Sequence, residues 1–549
     1  MNKQRIFSKI VFTFTFISFF AFKSISQSNG FELIKNMEIM DLIYEHLDKY
    51  YVDEAQVGHL SKVAIDAMLK ELDPYTVYYH ESNMEDYRMM TTGQYGGIGA
   101  LIRRMGDYTY IAEPYEGNPG HKAGLKAGDK ILSIDGKPMS AKDTEDVSTS
   151  LKGPKGTTIK VEVEREGEGI KTISVTRDEI KLPDVPYSGM INSTVGYVKL
   201  NSFTQTASSD VRKAMEELKS KGMTEMVLDL RGNGGGLLIE AVKIVNLFVK
   251  KGQVVVTTKG RVAEENRVYN TQEDPMDLNI PLTVLIDEGS ASASEIVSGS
   301  LQDLDRAVVI GSTSYGKGLV QRTYDLKYGS KMKLTIAKYY TPSGRCVQRL
   351  EYYEHAEGEK PKEISDSLLK VFKTVNGRDV IDGRGIEPDV KVVEKEFSRL
   401  TGTIFSSNLI FNYATKFHIK NPTIAAAGKF ELTDLEYEDF KKYVLGETFT
   451  YSTASEEVLK KMKKTAEDEG YYEESKVEYE ALLSKVIPSK ERDLEKFKGE
   501  IKTLLENEIV SRYFFQKGRA EDAFRSDLTI AKSLEILKNK NEYNTILKK

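Results

Sequence analysis

Cysteine is almost absent from this chain of 549 residues. Cys346 is its one example, so no intramolecular disulfide can form. Histidine is nearly as sparse: His46, His59, His80, His121, His355 and His418 are scattered, with no HxxxH pair and no CxxC. Local spacing therefore offers no zinc site, and no metal or other cofactor is expected. Ligands assembled only by the fold stay open on that argument. Neither sign of charge dominates, with 78 Lys and Arg against 83 Asp and Glu, so nothing marks nucleic acid as a partner. No stretch of the chain reaches 18 consecutive apolar residues, the length of a membrane span.

The N-terminus does carry a shorter apolar run. Lys3, Arg5 and Lys9 precede apolar residues 10–22, and Ser24 and Ser26 follow, which is the layout of a secretory leader. Residues 1–26 are expected to be that signal peptide, with an uncleaved membrane anchor the weaker alternative. No cysteine lies near the cleavage region, so no lipid anchor is expected.

Four segments follow. Residues 27–92 read as helical, with Met37, Met40, Ile43, Tyr44 and Leu47 at helical spacing, until Asp73-Pro74 stops the pattern. Residues 93–180 change to short β-rich runs broken by glycine, with strand candidates flanking Asp135-Gly136 and a helix near 144–151: a small β-barrel module. Residues 181–394 alternate strand and helix as an α/β core does, with buried strands at 226–230 and 282–286. Residues 395–549 turn rich in Lys and Glu and mostly helical. Leu494, Phe497, Ile501, Leu504 and Leu505 make one apolar stripe there, which calls for packing on the core or on a partner chain.

Three motifs in the core carry chemistry. Gly289-Ser290-Ala291-Ser292-Ala293-Ser294-Glu295 follows a buried strand and opens a helix, where free N–H groups and the dipole suit a developing oxyanion. By itself this segment reads more readily as a serine-rich helix cap than as a nucleophile. Tyr315-Gly316-Lys317-Gly318 enters an apolar strand, and burial of Lys317 would lower its pKa toward that of a usable base. The alternative is a solvated or phosphate-binding lysine, although Walker spacing is absent. On a strand, Gln321 would share a face with Lys317 and hold its amine. The loop Asp229-Leu230-Arg231-Gly232-Asn233-Gly234-Gly235-Gly236 breaks the GxGxxG pattern at Leu237, and suits N–H donation to an anionic oxygen, from Gly235 or the adjacent Gly236.

At these residues the sequence resembles the C-terminal processing peptidases, or tail-specific proteases. Residues 289–296 are similar to the family's nucleophile segment and 315–321 to its base segment. The resemblance implies Ser292 as nucleophile, Lys317 as base, Gln321 as support, and Ala293 with Gly235 as oxyanion donors. Gly234 stands where proline is frequent in the family. The resemblance spans about residues 36–395. It makes the module at 93–180 a PDZ domain, whose carboxylate-binding loop would be Gly96, Gly97, Ile98, Gly99 and Ala100; taken alone, that loop reads as an ordinary β-turn. The expected architecture is multidomain α/β: a mixed-sheet serine peptidase core, an inserted PDZ module, an N-terminal helical segment and a C-terminal helical extension. The expected activity is endoproteolysis of exported proteins near free apolar C-termini, in a bacterial periplasm or cell envelope. The C-terminal helices would serve for self-association or for an accessory protein. The competing reading is a catalytically silent PDZ scaffold that binds such tails.

Overall fold

The computed structural model describes residues 28–352, 360–393 and 396–549. The leader expected at 1–26 lies outside them. Among the described residues no helix is long and apolar enough to cross a membrane.

Two compact units form. Of the described residues, the smaller contains 28–80 together with 324–333. Its helices are α1 (Ser28–Tyr50) and α2 (Val57–Lys70). The Asp73 carboxylate ends this helical segment by accepting the N–H groups of Tyr75 and Thr76, both at 2.8 Å. A short strand, Val77–Tyr79, then pairs antiparallel with residues 331–333. The periodic apolar residues of α1, among them Met37, Met40 and Ile43, stay exposed.

The larger unit holds the rest. Its β-rich module begins with β1 (Gln94–Gly97), which pairs with Asp178–Lys181. A five-strand path follows in the order β2 (Ala100–Met105), β3 (Tyr108–Pro114), β4 (Lys130–Ile134), β5 (Thr158–Arg165) and β6 (Gly169–Thr176). Asp135 and Gly136 both take positive φ, the conformation that a tight hairpin turn after β4 requires. The helix α3 (Thr144–Leu151) starts with the Asp143 carboxylate accepting the Asp146 N–H. It buries Val147 and Leu151 against Ile131, Val161 and Val163.

The core is a six-stranded sheet in the order β7 (Tyr187–Met190), β8 (Val195–Lys199), β9 (Glu225–Asp229), β10 (Leu282–Ile286), β11 (Val308–Gly311) and β14 (Val390–Lys391). Only the β7–β8 pair is antiparallel, so the sheet is mixed. The central parallel strands β9, β10 and β11 are buried on both faces, as continuous runs such as Leu282-Thr283-Val284-Leu285-Ile286 foretell. Met226, Leu228, Leu282, Val284 and Val309 face α4 (Ala207–Ser220), α5 (Leu238–Asn246) and α6 (Ala293–Asp303). Val227, Leu285, Val308 and Ile310 face the other way. There they meet Ile530, Ile536 and Leu537 of the C-terminal helices.

Strands β12 (Leu319–Asp325) and β13 (Lys331–Tyr340) follow β11. Farther on, α7 (Leu409–Lys420) and α8 (Lys498–Ala523) build a second helical core with Leu494, Ile501 and Leu505. The stripe expected around Leu494 to Leu505 is interrupted at Phe497, where a short helix ends and α8 begins. Finally α9 (Leu528–Lys538) covers the sheet's second face.

Candidate active site

Strand β10 delivers the chain to a sharp turn before α6. Ser292 sits at that turn with φ 57° and ψ −111°, a conformation costing about 1–3 kcal/mol for a residue with a side chain. Neighbouring groups hold it there. The Ser292 N–H donates to Glu295 Oε2 at 2.8 Å, and the Tyr339 hydroxyl donates to the Ser292 carbonyl at 3.2 Å. The flanking serines have structural work: Ser290 Oγ donates to the Leu230 carbonyl (2.9 Å) and Ser294 Oγ to the Asn233 carbonyl (2.8 Å). Both are fully buried, whereas Ser292 is partly exposed.

The glycine-rich loop lies against this turn. Gly235 has φ +102°, and a Cβ added there would stand 2.8 Å from Ser292 Cβ and 3.0 Å from the Ala293 nitrogen. Its backbone thus touches the turn as only glycine can. Ala293 opens α6, at the helix end where N–H groups lack intrahelical acceptors. The Gly235 N–H, however, donates to Asn233 Oδ1 at 2.9 Å. The expected donor is therefore engaged within its own loop. Gly236 instead presses on the Phe203 carbonyl, 2.5 Å from where its Cβ would be. Beneath the loop, Asp229 accepts from the Tyr197 hydroxyl at 2.7 Å and pairs with Lys199 and Arg231. Burial alone would raise its carboxyl, but those cations hold it well below the usual range.

Lys317 sits partly buried in the loop between β11 and β12. It precedes β12 by two residues, so the strand alternation expected to align it with Gln321 does not extend to it. Sterics explain the flanking glycines: a Cβ at 316 would meet Arg349 Cβ at 2.6 Å, and one at 318 the Gln348 nitrogen at 2.7 Å. Gln321 lies on β12, and its Nε2 donates to Thr335 Oγ1 on β13 at 3.2 Å.

Glu295 joins the two halves. Its carboxylate accepts the N–H groups of Gly316 (2.7 Å), Lys317 (2.9 Å) and Ser292 (2.8 Å), and the Ser314 hydroxyl (2.6 Å). Burial pushes this carboxyl up, while the four donors work in the opposite direction. Sequence reasoning assigned Glu295 no role. The signal was present, because Ser-x-x-Glu is the spacing of a capping box.

The PDZ loop is built from backbone. The Gly96 carbonyl accepts from the Gly153 N–H (3.0 Å), that of Ile98 from Gly120 (2.7 Å) and that of Gly99 from Tyr115 (2.9 Å). Ile98 is buried in the module core, Gly99 takes φ +67°, and Ala100 opens β2, an edge strand of the sheet.

Comparison with known proteins agrees with this architecture. The model of peptidase family S41 matches residues 194–354, that of the PDZ domain 110–165, and that of the "Probable PDZ-protease, C-terminal helical domain" 400–537. The last match reaches past the stretch that the sequence resemblance covered. A "Probable CtpA-like serine protease" of Staphylococcus aureus (strain N315) is 32% identical over 405 residues, covering 72% of this chain and 78% of that protein. A "Carboxy-terminal-processing protease" of Bartonella bacilliformis is 36% identical over 331 residues, covering 59% and 76%. Among solved structures, a photosystem II D1 C-terminal processing protease aligns with 64% of this chain and 86% of its own, at 27% identity and a TM-score of 0.36. The chain belongs to peptidase family S41, as a serine protease of the carboxy-terminal-processing type with a PDZ domain.

Proposed function

We propose that Ser292 and Lys317 form the catalytic dyad, with Gln321 supporting the lysine. The observation that carries this reading is the convergence of the Ser292 and Lys317 amides on one buried carboxylate, Glu295. In the proposed cycle, neutral Lys317 Nζ takes the proton as Ser292 Oγ adds to the scissile carbonyl carbon. The oxyanion is met by the Ala293 N–H and by Gly235, whose N–H turns from Asn233 Oδ1 to the new oxygen. Collapse breaks the C–N bond, and Lys317 returns the proton to the departing amine. Water then attacks the acyl-enzyme by the same route and restores Ser292.

Substrates are proposed to be exported proteins with apolar C-termini. The carboxylate would rest on amides of the 96–100 loop while the peptide adds a strand beside β2, whose outer edge is open in the sheet order. Work outside the cytoplasm is proposed from the basic and apolar pattern of residues 1–26.

The test is cleavage of a peptide with an apolar free C-terminus. Ser292→Ala and Lys317→Ala should each lower turnover on the order of 10³-fold or more, with thermal unfolding little changed. Full turnover in either variant would overturn the dyad. Tail binding without cleavage by the unmodified chain would make it a scaffold instead.

A further inference from the structure

Between α8 and α9 the chain makes a short connection, residues 524–527. Two of its side chains reach the root of the glycine-rich loop. The Phe524 ring stands edge-on to Tyr197, with centroids 5.0 Å apart, and the Tyr197 hydroxyl in turn donates to Asp229. Asp527 Oδ2 lies 2.8 Å from Arg231 Nη1. Both residues fall outside the stretch that matches the peptidase family.

Arg231 is thereby gripped from two sides. Its Nε and Nη2 donate to Asp229 Oδ2 at 3.1 and 2.7 Å, within the loop itself, while Nη1 faces Asp527 from outside. The two paired side chains are only 15% and 17% exposed, so salt and water screen them little. Burial would lower the guanidinium's pKa, but Asp229 and then Asp527 raise it and keep it charged. Lys199 and Arg231 balance Asp229 and Asp527 in this cluster. Loss of Asp527 would leave one positive charge there unmatched.

From Arg231 a series of backbone contacts runs to the Ser292 turn. Lys199 Nζ donates to the Arg231 carbonyl at 2.6 Å. The Gly232 N–H donates to Asp287 Oδ1 at 2.8 Å, and that oxygen also takes the Gly289 N–H at 3.0 Å. The Asn233 carbonyl accepts from the Ala291 N–H at 3.0 Å. Gly235 then lies against Ser292 itself. The place of Arg231 thus sets where the loop leaves the sheet, and a shift of its guanidinium passes along these contacts to Gly235.

We propose that Asp527 is a positioning residue for the peptidase reaction. Its carboxylate fixes Arg231, and through Arg231 it holds Gly235 where the oxyanion forms. The inference rests on reading residues 229–236 as the oxyanion loop. It gives the C-terminal helical region a part in turnover beyond covering the sheet. Asp527 also caps α9, its Oδ1 accepting the Ile530 N–H at 2.9 Å, so the test has to separate two roles.

The test measures kcat and KM of the full-length chain on a peptide with an apolar free C-terminus. Asp527→Asn keeps a good helix cap but turns an N–H₂ group toward the guanidinium. Its kcat should fall about tenfold or more at an unchanged KM, because the oxyanion exists only beyond the ground state. Asp527→Glu keeps the charge and caps poorly, and its kcat should stay within about threefold of that of the unmodified chain. Capping alone predicts the reverse order, and that order would overturn the inference, as would an unchanged kcat in Asp527→Asn. Asp527→Ser, another uncharged cap, takes the asparagine variant's place should that one not fold. Gly235→Ala, run alongside, tells the two possible failures apart. Turnover lost there but kept in Asp527→Asn overturns the role of Asp527 alone, whereas turnover kept in both overturns the loop reading as well.

Discussion

At the scale of single residues, two positions invite direct tests. Gly235 has a left-handed φ, and its missing side chain leaves room for the Ser292 turn. Gly235→Ala would drive a Cβ against that turn. Turnover should fall about 100-fold or more while tail binding is kept, as measured by kcat alongside peptide affinity. Glu295 is buried with a pKa above its ordinary value, so the folded state binds more protons than the unfolded one just above that value. Stability should therefore decline as pH rises from about 4.5 through the raised pKa, and Glu295→Gln should flatten that part of a melting-temperature profile. The same variant turns an amide N–H₂ toward donors and should lose about 1–3 kcal/mol of stability in denaturant unfolding. The motif around Ser292 and Lys317 was legible in the chain because small residues and glycines mark close backbone approach. The Asn233 side chain that occupies the Gly235 N–H was not legible, since no spacing rule states where a loop folds back on itself.

At the scale of elements, the buried strand at 282–286 and the helix at 144–151 were legible almost to the residue. A continuous apolar run and an aspartate cap each name their own boundaries. The strand placement expected for Lys317 does not hold, because glycine on either side of it delays β12 until Leu319, and strand periodicity has no hold on a loop. The break at Phe497 was equally hidden, because helical spacing continues across it in sequence. The PDZ loop offers an element-scale prediction. A Cβ on Gly96 would stand 2.3 Å from the Gly153 carbonyl, so Gly96→Ala must shift β1 against that neighbour. Affinity for an apolar tail peptide should drop about tenfold in fluorescence anisotropy.

At the scale of the whole molecule, the last of the C-terminal helices, α9 and the residues after it, complete the peptidase core, while the stripe from Leu494 to Leu505 packs into a helical core of its own. The sequence suggested packing on the core or on a partner and could not choose, because an apolar stripe does not say what it will touch. The structure brings Ile530, Ile536 and Leu537 onto the sheet, Ser533 Oγ within 2.7 Å of Thr283 Oγ1, and the Tyr543 hydroxyl to the Leu282 carbonyl at 3.2 Å. A chain ended at residue 394 would leave Val227, Leu285, Val308 and Ile310 facing water. It should be recovered as aggregate, with no sharp melting transition by differential scanning calorimetry. Leu282 and Tyr543 lie 261 residues apart in the chain. During synthesis the strands of the core sheet emerge long before the residues that seal them, and contacts of such long range form slowly. The enzyme's maturation is thereby timed by its own length: a partly made copy, however complete its serine and lysine segments, has not yet closed the sheet that holds them in place.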